Sequence, residues 1–200
     1  MNAEIIAVGS EMLTPERLDT NSLWLTNELN QLGVEVIAKH IIGDQRARLA
    51  GEIRRAMDNA EIVIVSGGLG PTEDDVTRDA AAAALGRTQV CDEEIVRGIE
   101  ARFARMKRVM PETNRRQAMV MAGAEILSND RGTAPGQWIP FEKGVVALLP
   151  GPPYELKSMF ARECLPRLEG LVPPTVIRTL TMRTTGMSDA ALDEIGRAHV

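Results

Sequence analysis

Residues 66–75 read Ser-Gly-Gly-Leu-Gly-Pro-Thr-Glu-Asp-Asp and follow directly on the apolar run Ile62-Val63-Ile64-Val65. Glycines in such a loop let backbone N–H groups come close to an anion, because no Cβ intervenes. Glu73, Asp74 and Asp75 oppose that anion. Two charges about 4 Å apart interact by about 4 kcal/mol at an effective dielectric of 20, so a phosphate beside them calls for a neutralising cation. Magnesium suits the pattern, since it binds through one or two carboxylates plus phosphate oxygens and keeps its remaining waters. Asp75, with Asp44 from another loop, is the expected pair of metal ligands. The loop fits neither common nucleotide fingerprint: it has no Gly-Lys-Ser/Thr, and Glu73 stands where the dinucleotide pattern requires glycine.

Three further loops carry similar chemistry after apolar runs: Gly9-Ser10-Glu11 after Ile5–Val8, Gly43-Asp44 after Val34–Ile42, and Pro150-Gly151-Pro152-Pro153 after Val145–Leu149. In a parallel sheet such loops gather at the carboxyl edge, where open α/β folds bind ligands. The residues expected to bind ligand there are Ser66, Gly67, Gly68, Leu69, Gly70, Pro71 and Thr72, joined by Gly151 and Pro152. Asp19 and Asn21 face the same edge at a helix start. Simpler readings stand beside these. Asp44 could cap a helix, Thr72-Glu73-Asp74 could open one, and Gly151-Pro152 could stop a strand and start a helix.

The elements that must position these loops follow from periodicity. The apolar runs read as buried strands. Leu18, Leu25, Leu29 and Leu32 share a helical face that ends at Gly33, and further helices are expected at 47–59, 75–85 (closed by Gly86), 93–108 and 112–121. Strand and helix alternate, which predicts an α/β domain with a mainly parallel sheet. The prolines of residues 169–174 read as a linker, and residues 175–193 as the start of a second domain too short to bury a core. Residues 194–200 resemble translated sequencing adapter, so the native reading is expected to end near Asp193.

Composition narrows the partners. A net charge of −5 weighs against broad binding of nucleic acid. The basic stretch from Arg97 to Arg116 lacks interleaved aromatic side chains and reads as a solvated helix face. No apolar stretch approaches the roughly 20 residues of a membrane helix, and two cysteines without a leader point to the cytoplasm. His40 has no ligand partner at zinc spacing, and Cys91 reads as an unreactive thiol.

Together these motifs resemble the CinA family, the competence/damage-inducible proteins, and beyond it the molybdopterin-binding domain of MogA, MoaB and MoeA-like proteins. Val8–Leu13, Asp19–Asn21, Gly43-Asp44, Ser66–Thr77 and Leu149–Glu155 carry the resemblance, which covers about residues 1–168. It implies a three-layer α/β sandwich, followed in the family by a KH-like domain. It also implies metal-dependent hydrolysis of ADP-ribose to AMP and ribose 5-phosphate, with Asp44 and Asp75 at the metal.

Three functions are therefore expected as alternatives. In the first, Mg2+ on Asp44 and Asp75 serves a nucleotide diphosphate hydrolase, glycine amides meet the developing charge, and Glu11 or Glu73 orients water. In the second, the cleft binds or transfers molybdopterin without cleaving a pyrophosphate. In the third, the domain is an assembly element of a longer chain. The ligand is a small molecule in the first two, and a homo-oligomer is expected.

Overall fold

The computed structural model describes residues 1–172 and 185–186. Along the chain run β1 (Asn2–Val8), α1 (Thr20–Gln31), β2 (Glu35–Ile42), α2 (Arg46–Asn59), β3 (Ile62–Ser66) and α3 (Thr77–Leu85). They are followed by β4 (Gln89–Cys91), α4 (Glu93–Arg105), β5 (Met119–Met121), β6 (Glu125–Leu127), β7 (Gly136–Phe141) and β8 (Gly144–Leu149). A last helical stretch comprises α5 (Pro153–Met159), a π-helical turn (Phe160–Cys164) and α6 (Leu165–Leu171).

Six strands form one sheet in the order β2-β1-β3-β8-β7-β6, and β4 pairs with β5 in a separate antiparallel ribbon. The four strands read from the sequence, β1, β2, β3 and β8, run parallel, whereas β7 is antiparallel to both its neighbours. Side-chain alternation then divides the core. Ile6, Val8, Val63, Val65, Val146 and Leu148 meet Leu49 and Ile53 of α2 and Ala80 and Ala81 of α3. Ala3, Ile5, Ile62, Ile64, Ala147 and Leu149 meet Leu25 and Leu29 of α1 and Leu156, Met159 and Leu168 of the last helical stretch. The result is the expected three-layer α/β sandwich, and β3, buried along its whole length, is its centre.

Chain order reverses beside β1, because β2 lies on one side of it and β3 on the other. The carboxyl ends of β1, β3 and β8 are thus adjacent, and their loops open over that switch point.

Several sequence expectations shift. β2 is an edge strand of alternating exposure rather than a buried one, since it has a partner on one side only. Residues 112–121 form a 3-10 turn (Glu112–Ala118) and then β5 rather than a helix. There Asn114 Nδ2 donates to Gln117 Oε1 at 2.9 Å, and the ladder to β4 claims the next residues. Leu18 precedes the Asp19 cap and is exposed, so only Leu25 and Leu29 bury the α1 stripe. Helix α3 opens at Thr77, two residues after Asp75, and α4 ends at Arg105. Gly33 and Gly86 do take positive φ, 81° and 64°, at the ends of α1 and α3. Glu169–Leu171, expected in a linker, complete α6. The expected second domain and tail lie outside the described residues apart from 185–186.

Candidate functional site

Two neighbouring cavities lie at the carboxyl edge. The first, about 390 Å3, is lined by Glu11, Asp19, Asn21, Ser66, Gly151 and Pro152, among others. The second, about 260 Å3, is lined by Glu11, Gly67, Gly68, Leu69, Gly70 and Asp75 with Gln117, Thr133 and Glu155. Val8, Glu11, Gly151 and Pro152 border both, so the β1 and β8 loops form a shared wall. Eleven of the expected residues are thereby brought together. Pro71 and Thr72 belong to the glycine loop but line neither cavity, and neither does Asp44.

The glycine loop is shaped by its own hydrogen bonds. Gly67 (φ 100°) and Gly68 (φ 65°) hold backbone conformations that side-chain-bearing residues rarely adopt. A Cβ on Gly67 would also collide with the Val8 carbonyl oxygen, which is rigid backbone. The Gly67 N–H donates to Leu149 O at 3.0 Å, and the Gly70 N–H to Asp75 Oδ1 at 2.7 Å. Two of the three glycine amides expected to meet an anion are therefore already bonded. Among the described residues, the amides of Gly68 and Leu69, which line the second cavity, have no such partner.

Asp75 is a staple for this loop. Besides the Gly70 amide it accepts from the Thr72 N–H at 2.9 Å and the Thr72 hydroxyl at 2.6 Å. Beneath it, the buried Arg78 donates to the carbonyls of Leu69 and Gly70, each at 2.7 Å. Burial pushes the Arg78 guanidinium down to about 10 against the pull of Asp75 and Asp79, so it stays charged at neutral pH. Thr77 donates its hydroxyl to Gly67 O at 2.8 Å. Arg78 was not singled out from the sequence, and Thr77 only as the end of the glycine-loop motif. The available signal was a lone cation at the head of an alanine-rich helix, three residues after Asp75.

Asp44 does not cap α2, whose N-cap is Gln45. Its Oδ2 accepts from the Ser10 N–H at 2.8 Å while its own N–H donates to Ser10 Oγ at 3.1 Å, which laces the β1 and β2 loops together. Asp44 and Asp75 thus spend their carboxylates on two different loops, and only Asp75 borders a cavity. Asp19 caps α1 by accepting from Ser22 N at 2.9 Å. Asn21 Nδ2 donates to Gly151 O at 2.7 Å, which ties α1 to the β8 loop, and its Oδ1 is buried without a partner. Asn129 donates to Glu155 Oε2 at 2.7 Å and fixes that carboxylate at the cleft rim.

Away from the cleft, Glu4, His40 and Glu52 converge, although they are distant in sequence. Their centre is filled by the Arg55 guanidinium, which pairs with Glu4, with Glu52 at 2.7 Å and with His40 Nε2 at 2.8 Å. Glu4 is 1% exposed, so Arg55 is the cation that compensates a buried carboxylate. Both carboxylates in turn hold the guanidinium above its ordinary pKa. His40, expected to have no ligand partner at zinc spacing, joins this network through its contact with Arg55.

A doubly wound sheet with a glycine loop and paired cavities at its switch point defines the class as an open α/β domain with its cleft where such folds bind ligands. The sequence model of the family described as "Probable molybdopterin binding domain" matches residues 4–170, and the chain belongs to that family. Within it the chain is similar to CinA-like proteins: it is 60% identical over 195 residues to the CinA-like protein of Solibacter usitatus. That match covers 98% of this chain and 47% of the relative, so the chain spans about half the length of such relatives. A solved structure of CinA from Thermoplasma acidophilum, described as of unknown function, superposes with a TM-score of 0.75 at 28% identity, over 80% of this chain and 95% of that one. A molybdopterin biosynthesis protein from Mycobacterium abscessus shares the fold, with a TM-score of 0.57 at 16% identity over 85% and 92% of the two chains.

Proposed function

We propose that the paired cavities bind a phosphorylated pterin of the molybdopterin kind, its phosphate at the Gly68 and Leu69 amides and its ring system in the larger cavity. One observation carries this reading: two cavities share the wall Val8, Glu11, Gly151 and Pro152, with the free loop amides in one and the polar Asp19, Asn21 and Ser66 in the other. Positive-φ glycines present those amides without obstruction, and the staple of Asp75 and Arg78 preorganises them before any ligand arrives. The family match supports the same ligand class.

A second reading, cleavage of a nucleotide diphosphate such as ADP-ribose to AMP and ribose 5-phosphate, is favoured by Glu11. Its carboxylate borders both cavities, where a pyrophosphate bridging them would lie and where it could orient an attacking water. No metal step is assigned, since Asp44 lines neither cavity.

Glu11→Gln separates the two. Glu11 is exposed and carries no fold-critical contact, so the variant tests charge alone. Under the binding reading, loss of a negative charge beside a phosphate tightens molybdopterin in a fluorescence titration, and no AMP forms from ADP-ribose with either protein. AMP formation by the parent, with or without added Mg2+, and its loss in Glu11→Gln would establish hydrolysis instead.

A further inference from the structure

Outside the cleft, a third cavity of about 250 Å3 opens between α4 and the loop 128–135, lined by Arg102, Arg105, Ser128, Asn129, Gly132 and Thr133 along with apolar neighbours. Thr133 also lines the glycine-loop cavity, so the two lie on either side of that residue. We propose that this cavity is a second anion subsite that takes a phosphate group, which makes the cleft's ligand class one bearing two separate anionic groups. The proposal rests on the cleft binding a phosphorylated ligand.

The chemistry of the walls is one-sided. Among the described residues neither Arg102 nor Arg105 forms an ion pair, and Arg102 spends one donor on the Asp130 carbonyl at 3.2 Å. Two guanidinia three residues apart on a helix repel each other, and an anion between them relieves this. The planar fork of arginine also suits phosphate oxygens. The acids that could oppose an anion are engaged elsewhere. Asp130 pairs with Arg162 and accepts from Ser158 Oγ, and Glu155 is held by Asn129 on the cleft side.

The loop itself is preformed. Asn129 Oδ1 accepts from the N–H groups of Arg131 and Gly132 at 3.0 and 2.7 Å, and its Nδ2 also donates to Ala134 O at 2.8 Å. The Ser128 and Thr133 hydroxyls have no intramolecular partner among the described residues and remain available to a ligand. Cations, hydroxyls and a stitched loop thus surround a cavity that shares Thr133 with the glycine-loop cavity. This goes beyond a solvated basic helix face, because Arg102 and Arg105 share one concave wall.

The test is a titration of the whole chain with inorganic phosphate, followed through the arginine Nε–H signals of Arg102 and Arg105 and the amides of Gly132, Gly68 and Leu69. The expected result is saturable movement of the Arg102, Arg105 and Gly132 signals, not reproduced by chloride at equal ionic strength. In Arg105→Gln the remaining Arg102 and Gly132 response should weaken by about 10- to 100-fold in affinity, the loss of one charged hydrogen-bonding partner. Gly68 and Leu69 should respond as in the parent. Arg105 is exposed and lies in the last turn of α4, so this substitution leaves the core untouched. Absent or non-saturating arginine shifts would overturn the subsite while leaving the cleft reading intact. Unmoved Gly68 and Leu69 with saturating arginine shifts would overturn the cleft reading and retain the subsite.

Discussion

Replacing Asp75 by Asn separates a loop staple from a metal ligand. The carboxylate accepts three hydrogen bonds, from Gly70 N, Thr72 N and Thr72 Oγ1. Asparagine keeps one carbonyl oxygen, so one oxygen position becomes an NH2 group facing a donor. Charge-assisted bonds contribute roughly 1.5–3 kcal/mol each and neutral ones roughly 0.5–1.5, while an opposed buried N–H costs roughly 1–3. The Gly70 side is part-buried and its loss counts nearly in full, whereas water replaces much of the exposed Thr72 side. The sum is about 2–3 kcal/mol, or a fall of about 4–12 °C in Tm for a chain of this length. Circular dichroism melts supply the first readout and hydrogen exchange the second, with the Gly70 amide losing protection before the sheet does. A Tm within 1 °C of the parent, with Gly70 protection unchanged, would refute the staple. Loss of a magnesium-dependent turnover at unchanged stability would restore Asp75 as a metal ligand.

Further outcomes follow from the same geometry. Arg55→Met should destabilise by about 1–3 kcal/mol in chemical denaturation, because it takes the cation from buried Glu4 while solvent screens the 40% exposed Arg55 side. Loss of Glu4 as well, in Glu4→Leu/Arg55→Met, should recover most of that. The Glu61 carboxylate accepts from the Asn2 N–H at 2.7 Å, which holds its pKa below the ordinary 4.5. The stability this contributes is present above that value and lost as pH falls through the lowered one, so Glu61→Gln should flatten the acid limb of a stability profile. Burial pushes the Cys164 thiol up to about 12, whereas Cys91 is half-exposed. Iodoacetamide at pH 8 should therefore modify Cys91 alone in the native chain, and both thiols only after unfolding.

What the sequence determined by itself was the frame. Unbroken apolar runs at 5–8, 62–65 and 145–149 could only be strands buried on both faces, and the glycines and prolines that follow them mark the loops of one sheet edge. Local chemistry was sufficient there, because burial on two sides leaves no other use for such runs. β7 was hidden because Gln137 and Pro140 interrupt its run, and its antiparallel partners β6 and β8 make it a strand. The roles of the acids were also tertiary. A carboxylate in a sequence can be a cap, a ligand or a staple, and which it becomes depends on the donors that folding brings within about 3 Å. For Asp75 those donors lie three and five residues back, on a loop held open by Arg78; for Asp44 the donor is Ser10, 34 residues away. The ion network of Glu4, His40, Glu52 and Arg55 assembles from two strands and a helix, so no spacing along the chain could announce it.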